Sequence, residues 1–400
     1  MRILYVTNGF PFPLTSGHLR HYFLIRELAR AHAVTLVSMV GRGFVCEHAD
    51  AMRPYTDRVI TVIAGARGGT RQQKIVSRVQ ASITGPVELR RMRTAVEQLV
   101  REHTYDAVVV NGKPTYQAID GLALPPIVAD MCDATSMRLQ GQLRYAGRLR
   151  RALLWLDCRQ VRRVEQAILR GTDHVLFASV RDRQAMVVSP LSPVSVLPNG
   201  IDTGFWKRKS THLDTDRIVF TGAMSYAPNV DAAIYLIEQI LPLVRRVLPR
   251  VEVLIVGHSP APALLKAATQ PGVTVTGFVE DVRPYLEQAA VFVAPVRFGA
   301  GIQNKLLEAL SMEVPVIASP LAADGLKTED GEAPPVQIAD TPGDYAEAIL
   351  QQLLVRRSRP APASEGRCYV KRHFSWATSG ARLNAIIESV ARARRESRVA

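Results

Sequence analysis

Short runs of β-branched and apolar residues alternate along the chain with stretches whose apolar residues recur at helical spacing. Arg2 to Thr7 reads as a buried strand, and Leu19, Tyr22, Phe23, Ile25 and Leu28 then follow a helical period through HLRHYFLIRELARAH. Further strands are predicted at Val34 to Val40, Val59 to Ile63, Asp106 to Val110, Ile127 to Asp130, Asp173 to Ala178 and Ser195 to Leu197. Helices are predicted over VELRRMRTAVEQLVREH, over residues 137–171 as one long region, and from Val180 onward. Strand alternating with helix is the pattern of a parallel, doubly wound sheet.

The alternation stops at Pro198-Asn199-Gly200-Ile201-Asp202 and the chain stays polar and charged to about Thr215. It then resumes with strands at Ile218 to Thr221, Glu252 to Val256, Val273 to Thr276, Val291 to Ala294, Val314 to Ala318 and Val336 to Ile338. Among them lie the helical segments VDAAIYLIEQILPLVRRV, DVRPYLEQA and YAEAILQQLLV. The expected organisation is a first domain over 1–198, a linker over 199–216, a second domain over 217–372 and a closing helix within 373–400. A chain of 400 residues is too long for one small core and suits two domains of about 200.

Composition adds little until charge is placed along the chain. Hydrophobic residues make up 47% and charged residues 22%, ordinary for a soluble globular protein. No run of 18 or more apolar residues occurs, and the opening RILYVTN reads as a strand rather than a secretory signal. Cys46, Cys132, Cys158 and Cys368 are scattered without metal-ligand spacing, so the expectation is a cytoplasmic protein with reduced thiols and no metal site. The net charge is +14, and residues 1–199 hold 27 Lys and Arg against 15 Asp and Glu. The first half therefore carries nearly all of the positive field, which suits an anionic lipid surface or a phosphorylated substrate. Arg144, Arg148, Arg150 and Arg151 interleave with Leu149, Leu153, Trp155 and Leu156, an amphipathic basic surface able to lie on anionic headgroups. Nucleic acid is not expected as a partner, because aromatics are 6% and no recognisable module is present.

The chemistry concentrates in VFVAPVRFGAGIQNKLLEALSMEVPVIAS, residues 291–319. A buried strand ends there in a Gly-rich turn and passes into an amphipathic helix. Gly299 and Gly301 lack a Cβ and let backbone approach a ligand closely. The N–H groups of Gln303, Asn304 and Lys305 then sit at a helix N-terminus, where partial positive charge favours an anion, most often phosphate. Arg297 offers a bidentate fork to phosphate oxygens and Lys305 a point charge. Glu308, one turn further, is placed to accept hydrogen bonds from paired sugar hydroxyls. In the first half, Gly17 after Ser16 permits a tight approach at the first strand-helix turn. Asp133, with Asp130 as second choice, follows the strand ending in ADMCD, where open α/β sheets place their ligands. The Gly-rich pieces at 41–43 and 65–70 lack the flanks of a P-loop and read as loops.

The spacing R-x-G-x-G-x-x-x-K-x-x-E-A-x-x-x-x-x-P from Arg297 to Pro315 resembles the donor-nucleotide signature of GT-B glycosyltransferases, specifically the retaining family 4. LPNGID and the G-x-M-x-Y-x-P-N of Gly222 to Asn229 add to the resemblance, which runs nearly end to end and is strongest over 197–319. It implies two Rossmann-like domains facing across a cleft, with the final helix crossing back to the first. It also implies metal-independent transfer of a sugar from a nucleotide-sugar donor, with no other cofactor, to a lipid-linked or small-molecule acceptor. In such a site the helix-start amides hold the diphosphate, Glu308 the ribose, and the backbone around Phe278 and Val279 borders the base. Gly17 and Gly222 face the donor phosphates, and Asp133 or Asp130 meets the transferred sugar. Two departures stand out. Many members carry a glutamate eight residues before the ribose-binding one, and here that position is Ala300; and between Gly222 and Asp231 there is no Arg or Lys, which leaves Arg297 and Lys305 to supply the counter-charge. A nucleotide-sugar epimerase, a non-catalytic sugar-nucleotide binding protein and a transferase acting on a soluble natural-product scaffold are the alternatives.

Overall fold

The computed structural model describes residues 1–14, 18–41, 43–64, 87–186, 192–209, 216–358 and 362–399. Two parallel sheets form two domains. The first sheet contains β1 (Arg2–Thr7), β2 (Ala33–Val40), β3 (Arg58–Ile63), β4 (Ala107–Asn111), β5 (Ile127–Cys132), β6 (His174–Phe177) and β7 (Val194–Val196), in the order β3-β2-β1-β4-β5-β6-β7. The second contains β8 (Arg217–Thr221), β9 (Glu252–Val256), β10 (Val273–Val275), β11 (Val291–Ala294), β12 (Val316–Ala318) and β13 (Gln337–Ile338), in the order β10-β9-β8-β11-β12-β13. Each order reverses once, between β1 and β4 and between β8 and β11. Crevices beyond the carboxyl ends of such strand pairs are where open parallel sheets bind ligands.

The central strands are apolar on both faces because helices cover both faces. Ile3, Leu4, Tyr5 and Val6 of β1 and all four residues of β11 are fully buried. Alternate residues of β1 feed separate cores: Ile3 and Tyr5 pack with Leu24, Ile25 and Leu28 of the Leu19–Leu28 helix, while Leu4 and Val6 pack with Met92 and Val96 of the Val87–Glu102 helix. The second domain is built around a single larger core running from Ile218 to Phe374. The Trp376–Val399 helix then returns to the first domain. Its Trp376 ring stacks on Phe23, 4.8 Å between centroids and 9° between planes, and Leu383 and Ile387 join the core beneath β1.

Residues 137–171 do not form one helix. The chain makes a helix over Thr135–Leu143, turns through Tyr145 to Gly147, and starts a second helix over Arg148–Gly171. Gly147, in extended conformation, caps the second helix, and the turn leaves Tyr145 free to face the other domain. The helix that follows β8 is also interrupted. Ala227–Tyr235 passes through a π turn at Leu236–Ile240 before Leu241–Arg245.

Candidate active site

The site is built on β11, whose burial makes it a rigid platform for the loop that follows. Gly301 in that loop has φ of +70°, a left-handed conformation that side chains resist. An added Cβ there would lie 3.4 Å from the Asp133 Cβ, an ordinary contact, so it is the backbone conformation and not space that calls for glycine. Gly299 differs from expectation: its φ is not positive and a Cβ would meet only ordinary contacts at 3.4 Å and beyond. The sharp bend is Gly301's.

The Asn304–Ser311 helix starts without a side-chain cap, and its Lys305 reaches the loop at the end of β8. There Gly222, with φ of +151°, leaves room that a Cβ would close, since it would stand 2.5 Å from Asn229 Nδ2 and 3.2 Å from Lys305 Nζ. Lys305 is only 8% exposed; its ammonium donates to Asn229 Oδ1 and lies 4.7 Å from the centre of the Phe220 ring. Burial lowers its pKa to about 7, against the opposing charge of Glu308. Desolvation likewise raises the partly buried Glu308 carboxyl to about 7, against Lys305. A cation and an anion one turn apart are thus both held at the edge of their charged states, so a diphosphate beside Lys305 and hydroxyl donors on Glu308 would stabilise each charged form.

Arg297 is placed otherwise than the sequence predicts. Its guanidinium forks onto Asp231, at 2.9 and 2.6 Å, and lies between the rings of Tyr145 and Tyr235, 4.4 and 4.6 Å from their centres. Tyr235 stands immediately before the π turn, and Tyr145 comes from the first domain. In this structure the fork is engaged by a carboxylate, and Arg297 bridges groups of both domains.

Asp133 faces Gly301 across the cleft, with its side chain 32% exposed. Thr135 Oγ1 donates to it at 2.6 Å, and Lys113 Nζ stands 3.6 Å away while donating to the Asp133 carbonyl at 3.1 Å. Asp130, the second choice, lies beneath the cleft rather than in it. Burial favours its neutral form, but Arg20 overrides this with bonds of 2.8 and 3.2 Å and holds the carboxyl below its ordinary range. Arg20 also donates to Asn199 at 2.7 Å, and Asn199 donates to Asn304 at 2.8 Å, so a polar chain runs from the first sheet through the linker to the Asn304–Ser311 helix. Phe278, 69% exposed, and Val279, packed on the second core, stand on the loop after β10. Gly17 lies outside the described residues.

Sequence reasoning missed the groups that join the domains. Asp182 is fully buried and accepts from Ala134 N of its own domain at 2.9 Å, from Ser179 Oγ, and from Gly301 N of the other domain at 3.0 and 3.1 Å. Its neighbour Arg181 donates to the carbonyls of Leu321 and Gly299, the latter at 3.5 Å. Both acids that meet the loop at Gly301, Asp133 and Asp182, therefore come from the first domain, beside the buried Ala300. A signal for Asp182 existed: Ser179 three residues earlier, at the end of β6, is a helix-start pattern at a ligand-binding strand end. Tyr226, at the start of the Ala227–Tyr235 helix, carries the Arg138 guanidinium 5.8 Å from its ring centre. Desolvation pushes the Tyr226 hydroxyl up to about 12, with Arg138 opposing and Asp133 and Asp182 adding to the rise.

This arrangement of two facing Rossmann-like domains has known counterparts. Residues 215–354 match the family described as Glycosyl transferases group 1. A GDP-mannose-dependent alpha-(1-6)-phosphatidylinositol monomannoside mannosyltransferase of Mycobacterium tuberculosis is 28% identical, over 96% of this chain and 97% of its own. Among solved structures, sucrose-phosphate synthase from Thermosynechococcus elongatus superposes with a TM-score of 0.71 at 16% identity, covering 98% of this chain and 99% of that one. HepE from Anabaena, solved with UDP and glucose, superposes at 0.67 with 12% identity, covering 97% and 100%. The chain has the GT-B fold. Its second domain carries the Glycosyl transferases group 1 domain, which marks the chain as a glycosyltransferase.

Proposed function

We propose that the chain transfers a sugar from a nucleotide-sugar donor to an acceptor held by the first domain, with retention at the anomeric carbon and without a metal ion. The observation that carries this is Lys305: a lysine buried at the meeting of Gly222 and an uncapped helix start, its pKa lowered to about 7, is a cationic site awaiting an anion. The donor's diphosphate lies against Lys305 and the first-turn amides, and Glu308 accepts from the ribose hydroxyls. As the bond from the anomeric carbon to the phosphate oxygen breaks, negative charge grows on the leaving diphosphate, where these fixed groups stabilise it most. The acceptor oxygen bonds to the same face of that carbon and passes its proton to the leaving phosphate oxygen. Asp133, opposite Gly301, holds the transferred sugar, and the closed cleft keeps water out.

The mycobacterial relative makes GDP-mannose the first donor to test and a lipid-linked acceptor the first class. In support of a lipid acceptor, Leu149 is 89% exposed, and Leu153, Trp155 and Leu156 stand exposed among arginines of the same helix. Among the described residues no helix is long and apolar enough to cross a membrane, so contact would be peripheral, at the inner face of the cell membrane. Calorimetry with GDP, UDP and their mannose and glucose derivatives tests the donor reading. Wild type should bind one base preferentially, and Glu308→Ala should lose on the order of 2–4 kcal/mol as two charge-assisted ribose bonds disappear. An unchanged dissociation constant in that variant removes the ribose assignment. Turnover that requires an acceptor separates transfer from epimerisation, and binding without turnover identifies a non-catalytic binder.

A further inference from the structure

A departing diphosphate carries more charge than one lysine balances, and Arg297 is paired with Asp231 in this structure. The loop from Gly222 to Asn229 adds no cation of its own. A different arginine stands over that loop. Arg138, in the Thr135–Leu143 helix of the first domain, lies partly exposed against the face of the Tyr226 ring. Its guanidinium makes no hydrogen bond or ion pair with any described residue. A guanidinium that bonds to no carboxylate or carbonyl keeps its N–H donors available, and that fork matches a phosphate. Its surroundings place it at the mouth of the donor site: Tyr226 begins the helix whose Asn229 holds Lys305, and Asp133 lies at the start of Arg138's own helix, opposite Gly301. Arg181, the other first-domain arginine here, is already bound to two carbonyls.

We propose that Arg138 is the second cation of the diphosphate site, delivered by the first domain. Tyr226 is its platform. The inference rests on the donor reading above and adds a consequence to it. Lys305 and the helix amides belong to the second domain and act whether or not the cleft is closed; Arg138 reaches the outer phosphate only when the domains are together, so leaving-group stabilisation is tied to closure. A nucleoside monophosphate, which lacks the outer phosphate, should not sense Arg138.

Calorimetry of wild type, Arg138→Gln, Arg138→Lys and Glu308→Ala with GDP, UDP, GMP and UMP distinguishes the possibilities. For the base that wild type prefers, Arg138→Gln should weaken the diphosphate about tenfold and leave the monophosphate unchanged, whereas Glu308→Ala weakens both through the ribose. Arg138→Lys should recover part of the loss, since charge returns without the fork. Turnover with the matching mannose donor should fall about a hundredfold in Arg138→Gln, more than affinity does. Thermal melting should change little, because the Arg138 guanidinium has no hydrogen bond or ion pair with a described residue to lose. Equal losses for mono- and diphosphate, or no loss in either, would overturn the assignment while leaving the donor site standing. If wild type binds none of the four nucleotides, the donor reading fails and this inference with it.

Discussion

Two strand-loop-helix units face each other across the cleft, and they recognise by different means. In the second domain, β11 and the Asn304–Ser311 helix present backbone: a left-handed Gly301, an uncapped helix start and one buried lysine. In the first domain, β5 and the Thr135–Leu143 helix present side chains: Asp133 oriented by Thr135 and Lys113, and Arg138 resting on Tyr226. Backbone recognition suits the diphosphate, which every donor shares. Side chains suit the sugar and the moment of closure, which vary. The contrast extends to net charge, since residues 200–400 hold 23 Lys and Arg against 21 Asp and Glu while the first half is strongly basic. The half proposed to bind the diphosphate is the less basic one: amides and one desolvated lysine hold it there, and the further cation proposed above comes from the basic half.

The largest test of this contrast removes that lysine. Lys305→Met should lower turnover about a hundredfold or more, the scale expected for a preorganised group at a developing anion. The same variant carries a stability signature. Lys305 is held at about 7 in the folded protein and returns to its ordinary value near 10.5 when unfolded, so between those pH values the unfolded chain binds more protons and stability rises with pH. Denaturant midpoints measured from pH 7 to pH 10 should climb in wild type and climb less in Lys305→Met. Parallel curves would mean the lysine is not desolvated in solution.

A smaller effect is expected at Arg297. As a pillar between Asp231, Tyr145 and Tyr235, its loss should cost about 1–3 kcal/mol of stability, and Asp231→Asn should reproduce much of that, because the two share one interaction. Donor affinity should change less than in Lys305→Met. Should Arg297→Gln instead leave stability intact and abolish diphosphate binding, the residue swings to phosphate on binding and the second domain supplies two cations after all.

The smallest effect concerns the basic outer face of the first domain. Each basic group near an anionic surface contributes about 1 kcal/mol, screened by salt. Changing Arg144, Arg148, Arg150 and Arg151 together to Gln should abolish co-sedimentation with phosphatidylglycerol vesicles at low salt, with neutral vesicles binding poorly in either protein. Wild type that stays in solution at low salt redirects the search toward a soluble acceptor.

Residues close in sequence determined most of the second domain's site. The β11 loop, the glycine, the helix start, Lys305 and Glu308 lie within 18 residues of one another. Periodicity and spacing reveal such a set because strand rise and helix pitch fix their relative positions without help from the rest of the fold. The two parallel sheets were legible for the same reason: a strand covered on both faces must be apolar throughout. Tertiary structure alone decided what the charged side chains do. Arg297 follows the right spacing for a phosphate ligand, yet Asp231 lies 66 residues away and Tyr145 in the other domain, and nothing local records that they enclose it. Asp130 and Asp133 are three residues apart at one strand end, but only the packing of Arg20 draws the first inside and leaves the second in the cleft. Likewise the neighbours of Asp182 and Arg138 across the cleft are set by the meeting of the domains, and contacts between residues so distant in sequence leave no period in it.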